Sequence, residues 1–218
     1  MHARAQLPID RLAACWRRLY HHSPPARLSA ELIRRYAEPH RHYHSERHVL
    51  HLLSEFDTVK PHMQQPDLVE LALWAHDCIY QIGSTDNERR SADWLLTHLP
   101  TAAPPEHAEQ LTALIMATVH IGIPEPQGDA RWLNDLDLAS LALPWTQFVM
   151  DSRHLYQETL SAAPDTTPET FSAGQQRFLG ALFQREHLYW TEHFRTTRET
   201  QARDNFRRLQ ATGADLLR

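Results

Sequence analysis

The chain carries 29 Leu and 25 Ala but only 5 Val, 7 Ile and 6 Gly. Few sequences so poor in β-branched residues build a sheet, because strands draw on Val and Ile while Leu and Ala favour helix. An all-α fold is therefore expected. With 218 residues, 42% of them hydrophobic, there is enough apolar side chain for a real core without disulfide staples. Nineteen aromatic residues argue against disorder. The two cysteines, Cys15 and Cys78, make neither a disulfide framework nor a cysteine zinc motif.

Pro-rich breaks divide the chain into expected helices at 10–22, 29–38, 44–60, 67–82, 86–98, 106–120, 130–138, 145–161, 168–184 and 192–215. The helix at 67–82 has apolar residues at Leu68, Leu71, Ala72, Ala75 and Ile79, which marks it as central. No internal repeat or low-complexity tract interrupts the pattern. One domain over 1–218 is expected, with a motif core at about 36–145 and C-terminal helices at 146–218 packed on it.

Partners are bounded by charge and hydropathy. The formal net charge is −5, and 21 of the 22 basic residues are Arg, beside a lone Lys60. Pairs such as Arg17–Arg18, Arg34–Arg35 and Arg207–Arg208 suit solvated helix faces, and no polyanion-binding stripe emerges, so no nucleic-acid polymer is expected. No apolar run approaches the length of a membrane span, and MHARAQLPID lacks the apolar segment of a secretory signal. A cytoplasmic protein without a membrane partner is expected, with a homo-oligomer left open.

Sixteen His stand out. In YHSERH, His44 and His48 are four apart, a spacing that places two imidazoles on one helix face. Chance gives the same spacing in so His-rich a chain. His76–Asp77 follows the apolar run LALWA, where an ionised Asp needs a charged partner or a cation. An Arg could serve, and so could a divalent ion held by a neutral imidazole and a carboxylate. Asp135 and Asp137, in NDLDLASL, are either turn residues or a second carboxylate for such an ion. Glu88 lies in TDNERRSA, where Thr85-x-x-Glu88 also spells a capping box. His120 closes a helical stretch, and Trp74 and Tyr80 flank the His–Asp pair as core residues.

The order His, His–Asp, distant Asp resembles the HD superfamily of metal-dependent phosphohydrolases. YHSERH is similar to the YHNxxH phrase of cyclic-nucleotide phosphodiesterases, which share that helical core, with Ser45 in place of Asn. The runs EPHRHYHSERH, LALWAHDCIY, DNERRSADWL, LIMATVH and QARDNF resemble more closely an uncharacterised bacterial branch of predicted HD phosphohydrolases. The match extends from about Tyr36 to Asn205.

The resemblance implies a compact HD-type helical bundle with additional C-terminal helices. It also implies His48, His76, Asp77 and Asp137 as metal ligands, with Asp135 the alternative to Asp137. His44 becomes the general acid, and Glu88 the residue that orients water, beside Asp77. His120 and Arg203 become substrate contacts, His120 alternatively a further ligand. Leu136 and Leu138 depart from the usual phrase around the closing Asp.

The implied activity is hydrolysis of a nucleotide or other small phosphoester by a metal-activated water, monoester or diester. One or two divalent ions (Mn, Ni, Zn, Mg or Fe) would serve as cofactor. Two alternatives remain: a non-catalytic metal- and nucleotide-binding regulatory module, and an HD-type di-iron oxygenase.

Overall fold

The computed structural model describes residues 7–218, so most of the N-terminal stretch read for a signal lies outside the described residues. Ten α-helices follow one another, and no strand occurs among the described residues. They are α1 (Ile9–Tyr20), α2 (Ala26–Tyr36), α3 (Glu46–Val59), α4 (Pro66–Ala75), α5 (Asn87–Leu96), α6 (Pro105–Met116), α7 (Ala130–Asp137), α8 (Trp145–Ala162), α9 (Pro168–Phe183) and α10 (Glu192–Thr212). Among the described residues, no helix is long and apolar enough to cross a membrane.

Helix α4 sits at the centre, as its composition requires. Every residue from Leu68 to Ala75 is buried, and α4 packs on α1, α3, α5, α6 and α7. Leu68, Leu71, Leu73 and Trp74 are each 1% exposed or less. Each contributes roughly 1.5–3 kcal/mol by leaving water. The one buried charge on α4, Glu70, is met by Arg11 at 2.8 Å and Arg18 at 3.1 Å, both from α1.

The C-terminal helices join the same apolar cluster, which runs from Leu7 to Leu216. Thr167 and Thr191 cap α9 and α10 by accepting from the amides of Thr170 and Phe194. Asn205 of α10 is fully buried and donates to the carbonyls of Leu141 and Leu143 at 2.8 Å each. That bond fastens α10 to the short 3-10 turn that follows α7.

Several helix boundaries differ from expectation, two of them, at α3 and α4, where chemistry is concentrated. Helix α2 starts at Ala26, after Pro25, rather than at Ser29. Helix α3 starts at Glu46, with Ser45 at the cap position, so His44 precedes the helix instead of sharing a face with His48. Helix α4 stops at Ala75 rather than continuing to 82, which leaves His76 and Asp77 just past its end. In each case a tertiary contact or a proline overrides the apolar period.

Candidate metal centre

The two short segments that carry the chemistry, 37–45 and 76–80, are held together by Arg41. Its side chain is fully buried. It donates to the carbonyls of Asp77 at 2.6 Å, Cys78 at 3.1 Å and His44 at 3.1 Å, and to Glu38 at 3.0 Å. Carbonyls at a helix C-terminus have no partner within the helix, and here a guanidinium supplies one. The rings of Tyr36 and Tyr80 flank it at 5.3 and 5.5 Å. The site's backbone is therefore fixed before any ligand side chain is considered.

Four side chains converge from α3, the end of α4 and the end of α7. His48 Nε2 lies 3.3 Å from His76 Nε2, 3.1 Å from Asp137 Oδ1 and 3.6 Å from Asp77 Oδ2. His76 Nε2 lies 3.0 Å from Asp77 Oδ2 and 3.4 Å from Asp137 Oδ1. The ligand atoms of His48, His76 and Asp137 all fall within 4.8 Å of one another, and Asp77 joins through both imidazoles. Around an ion with bonds of about 2.1 Å, neighbouring ligands stand about 3.0 Å apart in an octahedron and about 3.4 Å in a tetrahedron. The separations among the His48, His76 and Asp137 ligand atoms, 3.1–3.4 Å, match those edges, while Asp77 approaches the two imidazoles but stands outside this mutually close set. Two imidazole nitrogens and two carboxylates are also a donor set that borderline divalent metals accept.

Outer contacts aim the ligands. His76 Nδ1 donates to the Leu73 carbonyl at 2.8 Å, which leaves Nε2 as its ligand atom. Asn134 is fully buried and its Nδ2 donates both to the Ala117 carbonyl at 2.6 Å and to His120 Nδ1 at 3.1 Å. With Nδ1 accepting, His120 carries its proton on Nε2 and donates it to Asp137 Oδ2 at 2.9 Å. His120 thus positions Asp137 rather than adding a ligand.

His120 is also one of two non-glycine residues with positive φ among the described residues. Its φ of 63° and ψ of −45° centre a γ-turn closed by the Ile121 amide on the Val119 carbonyl at 2.7 Å. Such a backbone costs about 1–3 kcal/mol and needs the surroundings to hold it. Asn134, Asp137 and Arg185, which donates to the His120 carbonyl, do so.

His44 stands beside the cluster, its ring 5.9 Å from that of His48. Glu158 of α8, 1% exposed, anchors it. Glu158 Oε1 accepts from the successive amides of His42, Tyr43 and His44 at 2.8–2.9 Å, and Oε2 accepts from His44 Nδ1 at 2.7 Å. Three consecutive amides facing one oxygen form an anion nest, filled here by the protein's own carboxylate. Tyr80 stacks on the His44 ring at 4.1 Å.

Electrostatics follow from this crowding. Burial alone would lower the His76 pKa, but Asp77 and Asp137 hold it well above the usual imidazole value. Burial would raise Asp77 and Asp137, but His76 and its neighbours hold both well below the carboxylate range. The buried carboxylates thus demand positive charge, which a divalent cation could supply while leaving the imidazoles neutral. His44 is likewise raised: burial opposes its charge, and Asp77, Glu158 and Asp137 outweigh it.

The remaining expected residues divide. Glu88 makes no capping box, because Asp86 takes the cap position and forms no side-chain cap bond. Burial, with smaller contributions from the Asp77 and Asp137 carboxylates, raises the Glu88 carboxyl above its usual range. Asp135 is turned away and accepts from the Trp190 amide and from the Thr191 amide and hydroxyl at 2.7–2.8 Å, so Asp137 is the residue at the cluster. Arg203 is not brought there. It pairs with Glu199 at 2.6 Å and donates to the carbonyls of Arg185 and Glu186, within the C-terminal helices. Arg41, Asn134 and Glu158 have no motif that would have announced them. Ser45, a residue type favoured at helix N-caps, is the signal that could have started α3 after His44, although its side chain makes no cap bond.

A cavity of about 360 Å³ opens onto the cluster. His44, His120 and Asp137 form its polar end, and Leu141, Leu155, Phe171, Phe178 and Leu179 its apolar wall. No Lys or Arg lines it. No family model, curated protein or solved structure matches this chain.

Proposed function

We propose that this chain is a divalent-metal-dependent phosphohydrolase acting on a nucleotide or another small phosphoester. The observation that carries the reading is the convergence of His48, His76, Asp77 and Asp137, with His44 and the cavity beside them. A divalent ion held there lowers the pKa of a bound water and offsets charge on the phosphoryl oxygens.

The chain's own groups account for the rest. His44 commits its Nδ1 proton to Glu158, so its Nε2 is the end free to protonate the leaving oxygen. Burial opposes charge on this ring, and Asp77, Glu158 and Asp137 hold its pKa above the usual imidazole value. Glu88, whose carboxyl is raised by burial and by the Asp77 and Asp137 charges, is the acidic group we assign to orienting the attacking water. The apolar wall receives the organic part of the substrate. With no Lys or Arg in that cavity, a substrate with one phosphoryl group fits better than a polyphosphate.

The test pairs two assays on tag-free protein, wild type beside Asp77→Ala. One is metal content by elemental analysis. The other is hydrolysis of p-nitrophenyl phosphate and bis(p-nitrophenyl) phosphate with added Mn²⁺. Metal and turnover present in the wild type and lost together in the variant support the reading. Equal metal in both proteins, or bound metal without turnover of any phosphoester, overturns it.

A further inference from the structure

A second set of metal-binding side chains lies on the other side of His48. His48 and His51 stand one turn apart on α3, and Asp151 and His154 stand one turn apart on α8. All four line a second cavity of about 310 Å³, together with His42 and Arg47. Tyr43 and Ser140 line both cavities, and their hydroxyls bond at 2.8 Å, so this pair is the wall between them.

The side chains of this second cavity are uncommitted. Among the described residues, His51, Asp151 and His154 form no side-chain hydrogen bond or ion pair, and His51 Nε2 is buried without a partner. Buried polar atoms normally have one. The contrast with the third candidate cluster is instructive. Cys15, Asp67 and Glu70 also group closely, but Arg11 and Arg18 already neutralise both carboxylates, and the thiol donates to the Asp67 carbonyl. Asp151 forms no such ion pair, although Arg47 lines the same cavity and exerts a weak opposing charge on it.

We propose that His51, Asp151 and His154 form a second divalent-cation site that ties α3 to α8, separate from the His48–His76–Asp77–Asp137 centre. Facing one-turn pairs on neighbouring helices are a common way to build such a site in a helical bundle. Two imidazoles and one carboxylate favour Zn²⁺, Ni²⁺ or Co²⁺ over Mg²⁺ or Ca²⁺. Burial, with nearby positive charge such as that of Arg47 on His154, holds both imidazoles below their usual range, and burial pushes the Asp151 carboxyl up to about 6, a cost that a bound cation would relieve. The three donor atoms do not yet lie within 4.8 Å of one another. Rotating Asp151 and His154 inward breaks no hydrogen bond, and the cavity leaves room for the movement. An ion there would anchor the helix that carries Glu158 to the helix that carries His48.

The test uses the full, tag-free chain stripped with chelator and titrated with Zn²⁺ by equilibrium dialysis, with circular-dichroism melts alongside. Wild type should bind two ions per chain. His154→Ala and Asp151→Asn should each lose one, together with the Zn²⁺-induced rise in Tm that the site provides. Asp77→Ala should lose the other ion and keep this one. His154→Gln guards against a folding defect and should behave as His154→Ala does. Unchanged stoichiometry in the His154 and Asp151 variants overturns the proposal. If wild type binds only the ion removed by Asp77→Ala, this site is refuted while the hydrolase centre stands. If the only ion is the one removed by His154→Ala, the reverse holds.

Discussion

Replacing Glu158 separates the two duties that one carboxylate performs. Oε1 gathers three amides of the loop before α3, and Oε2 holds His44 Nδ1. A hydrogen bond to a charged group contributes about 1.5–3 kcal/mol. The three amides share one oxygen, and His42 is exposed, so water replaces part of that loss. Counting one strong acceptor for the loop and one for His44 gives about 3–6 kcal/mol for Glu158→Ala, a large share of a typical domain's stability. Glu158→Gln behaves differently. Its amide oxygen still meets the loop, so about 1–2 kcal/mol is lost. Its NH₂ now faces His44 Nδ1 as a donor. The neutral imidazole is then forced to carry its proton on Nε2, and without the carboxylate its pKa falls. A neutral imidazole is a poor acid, so turnover of the phosphoester should drop roughly 10²–10⁴-fold while metal content is unchanged. Urea denaturation gives the stability terms, and NMR titration of the His44 ring gives the pKa. If the Gln variant leaves both the His44 titration and the turnover as in wild type, the assignment of His44 as acid and Glu158 as its holder fails.

Further outcomes follow from the same contacts. Asp137→Asn should release the ion, whereas Asp135→Asn should retain it and cost about 1–3 kcal/mol by weakening the three bonds to residues 190–191, read by elemental analysis and urea denaturation. Asn134→Leu strips the donor from His120 Nδ1 and the Ala117 carbonyl. Metal affinity measured by calorimetry should weaken about 10–100-fold. Arg203→Ala should lower the melting temperature and leave kcat/KM within error, because its partners are Glu199 and backbone carbonyls. The His44–Glu158 pair also sets a pH window. Glu158 lies below its usual 4.5 when folded: burial raises it, and His44 and the loop amides outweigh that. Its contribution is therefore complete above about 4.5 and lost as pH falls through the folded value. His44 lies above its usual 6.5, so its contribution is complete below 6.5 and lost as pH rises through the folded value. The stability difference between wild type and Glu158→Gln should peak between about 4.5 and 6.5 and shrink on both sides.

How much of this was legible depended on whether the chemistry was local. The excess of Leu and Ala over Val and Ile pointed to helices, and the apolar run of α4 pointed to the centre, because both are decided by burial over a few turns. His48, His76 and Asp77 were nameable because short phrases carry them. The choice between Asp135 and Asp137 was not, since two residues apart on a helix they face nearly opposite ways, and only the packing of 190–191 says which side is the core. Helix ends failed for a related reason. The apolar period continues through Cys78 and Ile79 with no Gly or Pro to stop it, while the stop comes from Arg41, a guanidinium 36 residues away that takes the Asp77 carbonyl. Glu158 reaches His44 across 114 positions and has the appearance of any solvated glutamate on a polar helix face. The positive φ of His120 had no glycine to announce it. In this chain the ligands are written locally, whereas the residues that aim them are single polar side chains on distant helices. That division is physical. A ligand must be a particular residue type at a particular spacing, but its holder need only bring one donor or acceptor to the right point, and any helix that passes there can supply it.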